Sequence, residues 1–441
     1  MTFPAGFAFS TVVAAGGWSP AGGAATRNAG ASAAAEATAA VSTHQSETRS
    51  NLPNMKLPLW RAPGADASTP IAPGVTQAAR FCHGFLEPAS RDAVLSPWIE
   101  SPQPPRGRTA FRLEAPGREN VFVHTGLIPY VVSHMEKVPY LGHTLTRWQV
   151  GPSTFLALPE KGARLMNWHL TLGDGTVRDV VYWPELQTLD DIAEVRGGNP
   201  VLFPFCGRTF DRGAIHSWRD ENGTTRPMPI HGLARQGDFQ VTRLDERGFT
   251  AQFQPGEEAR ASYPYDYEFT VSYRFEPLAL FVELRLRNLD TKPIPWSAGH
   301  HFYFTLPWNE ARTRADYFIR IPAGASLRQD FENGRLHPGP RLRREESLAS
   351  KDLIDVFHTA LKSNAVVFGE RDGEDKITVH LGPDRVPPKS AVVVTWTQAD
   401  DSPFYCVEPW MGPANSPEHK AGLYQVAPSE TQSFLVEVSL K

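Results

Sequence analysis

Residues 269–286 read FTVSYRFEPLALFVELRL, and this stretch decides the fold class. Phe269, Val271, Tyr273 and Phe275 alternate with polar neighbours, Glu276-Pro277 breaks the run, and Leu280, Val282, Leu284 and Leu286 alternate again. A period of two puts each apolar set on one face of a strand, so the stretch predicts an antiparallel pair with one buried face. Phe434, Val436, Val438 and Leu440 repeat the pattern after a turn at 427–430. Further strands are expected at 154–158, 165–170, 365–368, 377–381 and 391–396. Helical periodicity over more than ten residues is hard to find, and Pro and Gly punctuate many short apolar runs. The expectation is an all-β chain built as a large antiparallel β-sandwich.

The sequence changes character along its length. Residues 1–54 are rich in Ala, Gly, Ser and Thr and almost free of charge. Such a segment buries too little apolar surface to offset its ordering entropy, so a disordered N-terminal tail is expected. Its run FAFSTVVAA has no preceding Lys or Arg, as a secretory signal would. An organellar transit peptide or a true start at Met55 are the other readings of this segment. Residues 55–120, with SPWIESPQPPRGR among them, read as a Pro-rich linker or arm. Residues 121–441, where the alternating strands begin, read as one domain. Net charge is only -4, with no basic stripe to track a phosphate backbone, so nucleic acid is not an expected partner. No apolar run approaches the length of a membrane span, and no membrane partner is expected. Cys82, Cys206 and Cys406 are scattered, which is neither a disulfide framework nor a paired zinc spacing. That fits a reducing compartment, and a cytoplasmic location is expected.

Four segments place polar or ionisable residues among apolar ones. In GGNPVLFPFCGR, Arg208 offers a planar fork of donors suited to hydroxyl pairs or phosphate, or alternatively pairs with a carboxylate at a strand end. In PIHGLAR, His231 sits in a tight turn between Pro229 and Gly232, with Arg235 four residues on. A lone His of this kind is either functional or a satisfied structural residue. In SAGHHFYFTLPW, adjacent His300 and His301 point to opposite faces of a strand, so only one can face a site and both cannot hold one metal. Tyr303 shares the face of His301 and could pack against a sugar ring. In FYCVEPWMGPANSPEHKAG, Glu408 stands among aromatic and apolar residues, which makes it either paired or functional. Burial would raise its pKa toward that of a general base working at neutral pH. Cys206 and Cys406 read as small apolar fillers.

The succession NPVLFPFCGR, PIHGLAR, GHHFYF and VEPWMGP resembles the aldose 1-epimerase (galactose mutarotase-like) family. The likeness covers about residues 139–441, with TLTRWQVGPSTFLALPEKGARLMNWHL similar to the family's opening hairpins and GLYQVAPSETQSFLVEVSL to its closing pair. It implies a supersandwich with a groove for a monosaccharide, an aldohexose that is free or phosphorylated. By motif position it implies Glu408 as general base and His301 as general acid, with His231 and Arg208 holding sugar hydroxyls. Arg235 fills the last position of the H-G-x-A-R motif. The family's sugar-binding Asp has no clear match, and Asp352 and Asp355 are the candidates. Phe302 stands where the family favours smaller residues or Pro, which predicts a narrowed groove.

The implied chemistry is a ring opening driven by one base and one acid on opposite sides of the hemiacetal, with a bell-shaped pH profile. It calls for no cofactor and no metal. Hexose 6-phosphate is the alternative substrate, with Arg196, Arg208 and Arg235 to meet the phosphate. A non-catalytic sugar sensor would keep the groove and lose the acid and base. A zinc enzyme would use His231, His301 and Glu408. The assembly is expected to be a monomer or a homodimer.

Overall fold

The computed structural model describes residues 133–441 apart from Asp384. The expectations for 1–54 and 55–120, and for the first residues of the domain to 132, lie outside the described residues.

The expected pair is there. Tyr267–Glu276 and Ala279–Asn288 form an antiparallel hairpin that puts Phe269 opposite Leu286 and Tyr273 opposite Val282. Phe269, Val271, Phe275, Leu280, Val282, Leu284 and Leu286 are fully buried. The hairpin forms the centre of a nine-stranded sheet, in which Thr431–Leu440 pairs with both Ala279–Asn288 and Lys376–Leu381. The closing segment is not a hairpin. Its first strand, Tyr424–Val426, leaves to pair with Ile294–Trp296.

A second sheet of thirteen strands packs against the first. Its inner face supplies Trp148, Phe155 and Phe203, which meet Phe275 and Phe269 across the sandwich. The Phe155 and Phe275 rings stack 4.3 Å apart, and those of Phe203 and Phe269 3.9 Å apart. Aromatic pairs of this kind add about 0.5–1.5 kcal/mol each beyond their burial. The strand ladders in both sheets are antiparallel. The expected all-β antiparallel sandwich is therefore the fold. Helix among the described residues is confined to Glu257–Ser262, Ser416–His419 and three short 3-10 turns. No helix there is long and apolar enough to cross a membrane.

The middle of the large sheet runs Phe302–Thr305, Phe404–Trp410, Val392–Trp396. Here both faces are covered. Tyr405, Val407 and Val393 point into the sandwich core, while Phe404, Cys406, Trp410, Val392 and Val394 belong to smaller clusters on the outer face. That outer face carries the site.

Candidate active site

A cavity of about 240 Å³ opens on this outer face. Its floor comes from the central strands through His301, Tyr303, Val394, Trp396, Glu408 and Trp410. Its walls come from loops carrying Arg196, Arg208, His231, Arg235, Phe331 and Asp355. All six residues singled out in the sequence line it. Of the two candidate aspartates it brings in Asp355 and leaves Asp352 exposed in a 3-10 turn. Phe302 does not narrow it. Strand alternation turns that ring inward, where it is fully buried beside Phe304 and His300.

The same alternation separates the two histidines. His300 is buried away from the cavity with its Nδ1 3.1 Å from Asn199 Nδ2, while His301 faces Glu408. Asn199, which was not picked out in the sequence, fixes this arrangement. Its carboxamide donates to Tyr273 Oη at 2.7 Å and accepts from the backbone N–H of His301 at 3.1 Å. The signal was present in the N-P that opens NPVLFPFCGR, but an Asn before Pro reads equally as turn chemistry.

His301 Nε2 and Glu408 Oε2 stand 3.5 Å apart, both nearly buried. They lie side by side rather than on opposite sides of a ring. Burial, reinforced by Arg164 and Arg235, pushes His301 down to about 3. Burial, reinforced by Asp355, pushes Glu408 well above the usual carboxylate range. Both shifts favour the neutral forms, a carboxyl beside an imidazole. The charged form, carboxylate beside imidazolium, has the same proton count. One proton passed between the two interconverts these forms, so the two groups are coupled.

His231 is set by two interlocking turns. It sits at φ 65°, followed by Gly232 at φ 81°, where a Cβ would meet the Phe203 carbonyl oxygen at 2.1 Å. Only Gly fits there. His231 N–H donates to the Gly207 carbonyl at 2.9 Å, and Gly207 N–H donates to His231 Nδ1 at 3.2 Å. Nδ1 is thus the acceptor, and in the neutral ring Nε2 carries the proton. Burial, then His301, Arg235 and Arg208, holds this imidazole neutral. It offers one fixed N–H donor, with its ring 5.2 Å from that of His301.

The arginines differ in how much of each fork is free. Arg208 lies over the Phe331 ring at 4.3 Å. Arg196 lies near the Trp396 ring at 5.8 Å. Arg235 spends one nitrogen on the Ala193 carbonyl at 3.0 Å and stands 3.7 Å from Glu194. Behind the wall, fully buried Arg164 donates to the carbonyls of Val195 and Gly197 at 2.7 and 2.8 Å, pinning the loop that carries Arg196. Tyr303 stacks on His301 with ring centroids 4.7 Å apart, so its face is already occupied on that side.

The metal-capable groups that gather among the described residues are His301, Cys406 and Glu408, with His231 outside the set. Cys206 and Cys406 are both free and buried.

The β-sandwich, with His301 and Glu408 in contact on its outer face and arginines and His231 around them, has the fold of the galactose mutarotase-like proteins. Residues 153–338 match the family model for aldose 1-epimerase, the family that the sequence resembles. The LacX protein of Lactococcus lactis subsp. lactis is 28% identical over 256 residues, spanning 56% of this chain and 83% of its own length. A galactose mutarotase-like protein from Clostridium acetobutylicum superposes with a TM-score of 0.58 at 20% identity, covering 70% of this chain and 98% of its own. A galactose mutarotase related enzyme from Lactobacillus acidophilus gives 0.54 at 20% identity, over 70% and 97%. At this identity the two structures are likenesses of fold.

Proposed function

We propose that the protein is an aldose 1-epimerase that interconverts the α and β anomers of a monosaccharide. The observation that carries this reading is the His301–Glu408 contact of 3.5 Å at the floor of the cavity. The two reacting oxygens of a hemiacetal sit on one carbon, so an acid and a base placed side by side suit them. A sugar hydroxyl donating to Glu408 favours its carboxylate and draws the shared proton onto His301. Glu408 then takes the proton of the anomeric hydroxyl while His301 gives one to the ring oxygen. The bond from the anomeric carbon to the ring oxygen breaks and an aldehyde forms. It turns about its bond to C2, and closure on the other face, with the two proton transfers reversed, completes the exchange. His231 Nε2–H and the Arg208 fork donate to sugar hydroxyls, and the Asp355 carboxyl accepts from one. The small cavity, set against the about 300–1,000 Å³ of drug-sized pockets, suits one ring rather than a longer glycan.

Polarimetry of fresh α-D-glucose and α-D-galactose, wild type beside Glu408→Gln, tests this. Acceleration that falls about 10²–10⁴-fold in the variant is expected. No acceleration of any free or phosphorylated sugar by a protein that binds it would turn the reading to that of a sugar sensor. A second substrate class is favoured by one observation: Arg196, Arg208 and Arg235 all line the cavity. Faster turnover of hexose 6-phosphates than of free hexoses would assign them to the phosphate.

A further inference from the structure

Cys406 stands two residues before Glu408 on the strand Phe404–Trp410, so the two side chains leave the same face. Its partners in register are Tyr303 and Trp396, both of which line the cavity. The thiol is fully buried directly beneath that floor. One donor atom each from His301, Cys406 and Glu408 lie within 4.8 Å of one another. Imidazole, thiolate and carboxylate are the donors that hold zinc, at about 2.0–2.3 Å.

A second observation points to a ligand here. His301 Nδ1 is buried with no hydrogen-bond partner, and Glu408 Oε2 makes no hydrogen bond beyond the 3.5 Å approach of His301 Nε2. A buried carboxylate held by so long a contact is costly, and a cation placed against it relieves that cost. A thiolate and a carboxylate together neutralise a dication, and a metal ion deprotonates the thiol that binds it. Three protein donors leave a fourth position for water, and His301 and Glu408 both line the cavity.

We infer that His301, Cys406 and Glu408 form a binding site for one thiophilic divalent cation of the zinc class, and that its occupation switches off sugar turnover. The first part stands on the side-chain cluster alone. The second rests on the acid–base reading above, because the ion takes both reacting groups. Harder ions such as Mg²⁺ prefer all-oxygen shells and should be ignored.

The test titrates the full chain, free of chelator and added thiol, with Co²⁺ as a spectroscopic stand-in and then with Zn²⁺. Expected are one Co²⁺ per chain with a thiolate-to-cobalt charge-transfer band, its displacement by Zn²⁺, and loss of mutarotation in step with zinc binding. In Cys406→Ala and Cys406→Ser the band should vanish, and at least tenfold more Zn²⁺ should be needed to halve each variant's own rate. No band in the wild type, a band that persists without Cys406, or equal inhibition by Mg²⁺ overturns the site. A band without turnover of any sugar overturns the second part and the acid–base reading while leaving the site intact.

Discussion

The hairpin Tyr267–Asn288 and the strand Phe404–Trp410 are built by the same rule and read very differently. In the hairpin one face is buried and the other half open, so Thr270 and Ser272 remain polar between Phe269, Val271 and Tyr273. In the site strand all seven residues are buried, because loops cover the outer face as the second sheet covers the inner one. A strand covered on both sides loses its alternation and becomes a continuous apolar run. Within such a run a carboxylate is conspicuous, and Glu408 could be picked out for that reason.

The largest effect should come from breaking the hairpin. Leu284 is fully buried and sits opposite Val271 in the sandwich core. Leu284→Ala should cost about 2–5 kcal/mol, from lost transfer energy plus the cavity left behind. Urea unfolding followed by tryptophan fluorescence measures it. The turnover number per folded molecule should stay near wild type, since no cavity residue is disturbed. A variant that keeps its stability would show that the core repacks around the gap. A variant that loses turnover while folded would show that the two sheets are coupled more tightly than their faces suggest.

This contrast also explains what the sequence could and could not disclose. Period-two alternation gave the strands from 267 to 288 and the last one, because burial there is one-sided. The partner of Tyr424–Val426 was not legible, since pairing with Ile294–Trp296 joins residues about 130 positions apart and local pattern says nothing of it. Arg208, His231, Arg235, His301 and Glu408 stood out because each interrupts an apolar run or sits near a Gly or Pro turn, and Tyr303 because it shares a strand face with His301; the structure brings all six to one cavity. Asp355 could not be separated from Asp352, for only the chain's course past the left-handed Asp355 decides which carboxyl faces the cavity. Asn199 was missed because its work is done on Tyr273, His300 and the His301 backbone, none of them near it in sequence. Phe302 was misplaced because its identity was weighed without its face.

Asn199 gives the next test, one that strikes the site through its support. Asn199→Ala removes one of two acceptors for the His301 N–H, leaving the Pro200 carbonyl at 3.2 Å, and removes the donor to Tyr273. His301 would then be held less firmly against Glu408, and displacements of about 1 Å can cost on the order of 10²-fold. A fall in kcat of about 10–10²-fold with KM little changed is expected from polarimetric kinetics. A rise in KM alone would mean that Asn199 shapes the sugar site rather than aligning the acid.

A smaller effect concerns pH and stability. His300, His301 and His358 are buried without charge, each pushed down by burial to about 3 from an ordinary 6.5. Between those values the unfolded chain binds protons that the folded one refuses, so stability should be full above about pH 6.5 and decline as pH falls toward 3. His358 lies outside the cavity, with Nε2 2.8 Å from Thr395 Oγ1. His358→Gln should therefore flatten the decline of Tm between pH 6.5 and 4 without altering turnover. An unchanged slope would show that His358 does not contribute to acid sensitivity.

The smallest effect sharpens the comparison most. Ser272 lies on the open face of the hairpin, half-buried, its hydroxyl 3.0 Å from that of Thr250. Away from the core such a residue should be replaceable by Ala within about 0.5 kcal/mol. The equivalent shift of face in the site strand separates Val407, which packs into the sandwich, from Glu408, which meets the sugar cavity. One residue along the hairpin divides core from near-neutral surface; one residue along the site strand divides core from chemistry. If Ser272→Ala costs as much as a core truncation, the open face of the hairpin is not open in solution, and something in the whole chain covers it. Denaturant midpoints of Ser272→Ala and Leu284→Ala, measured side by side, decide between these two pictures.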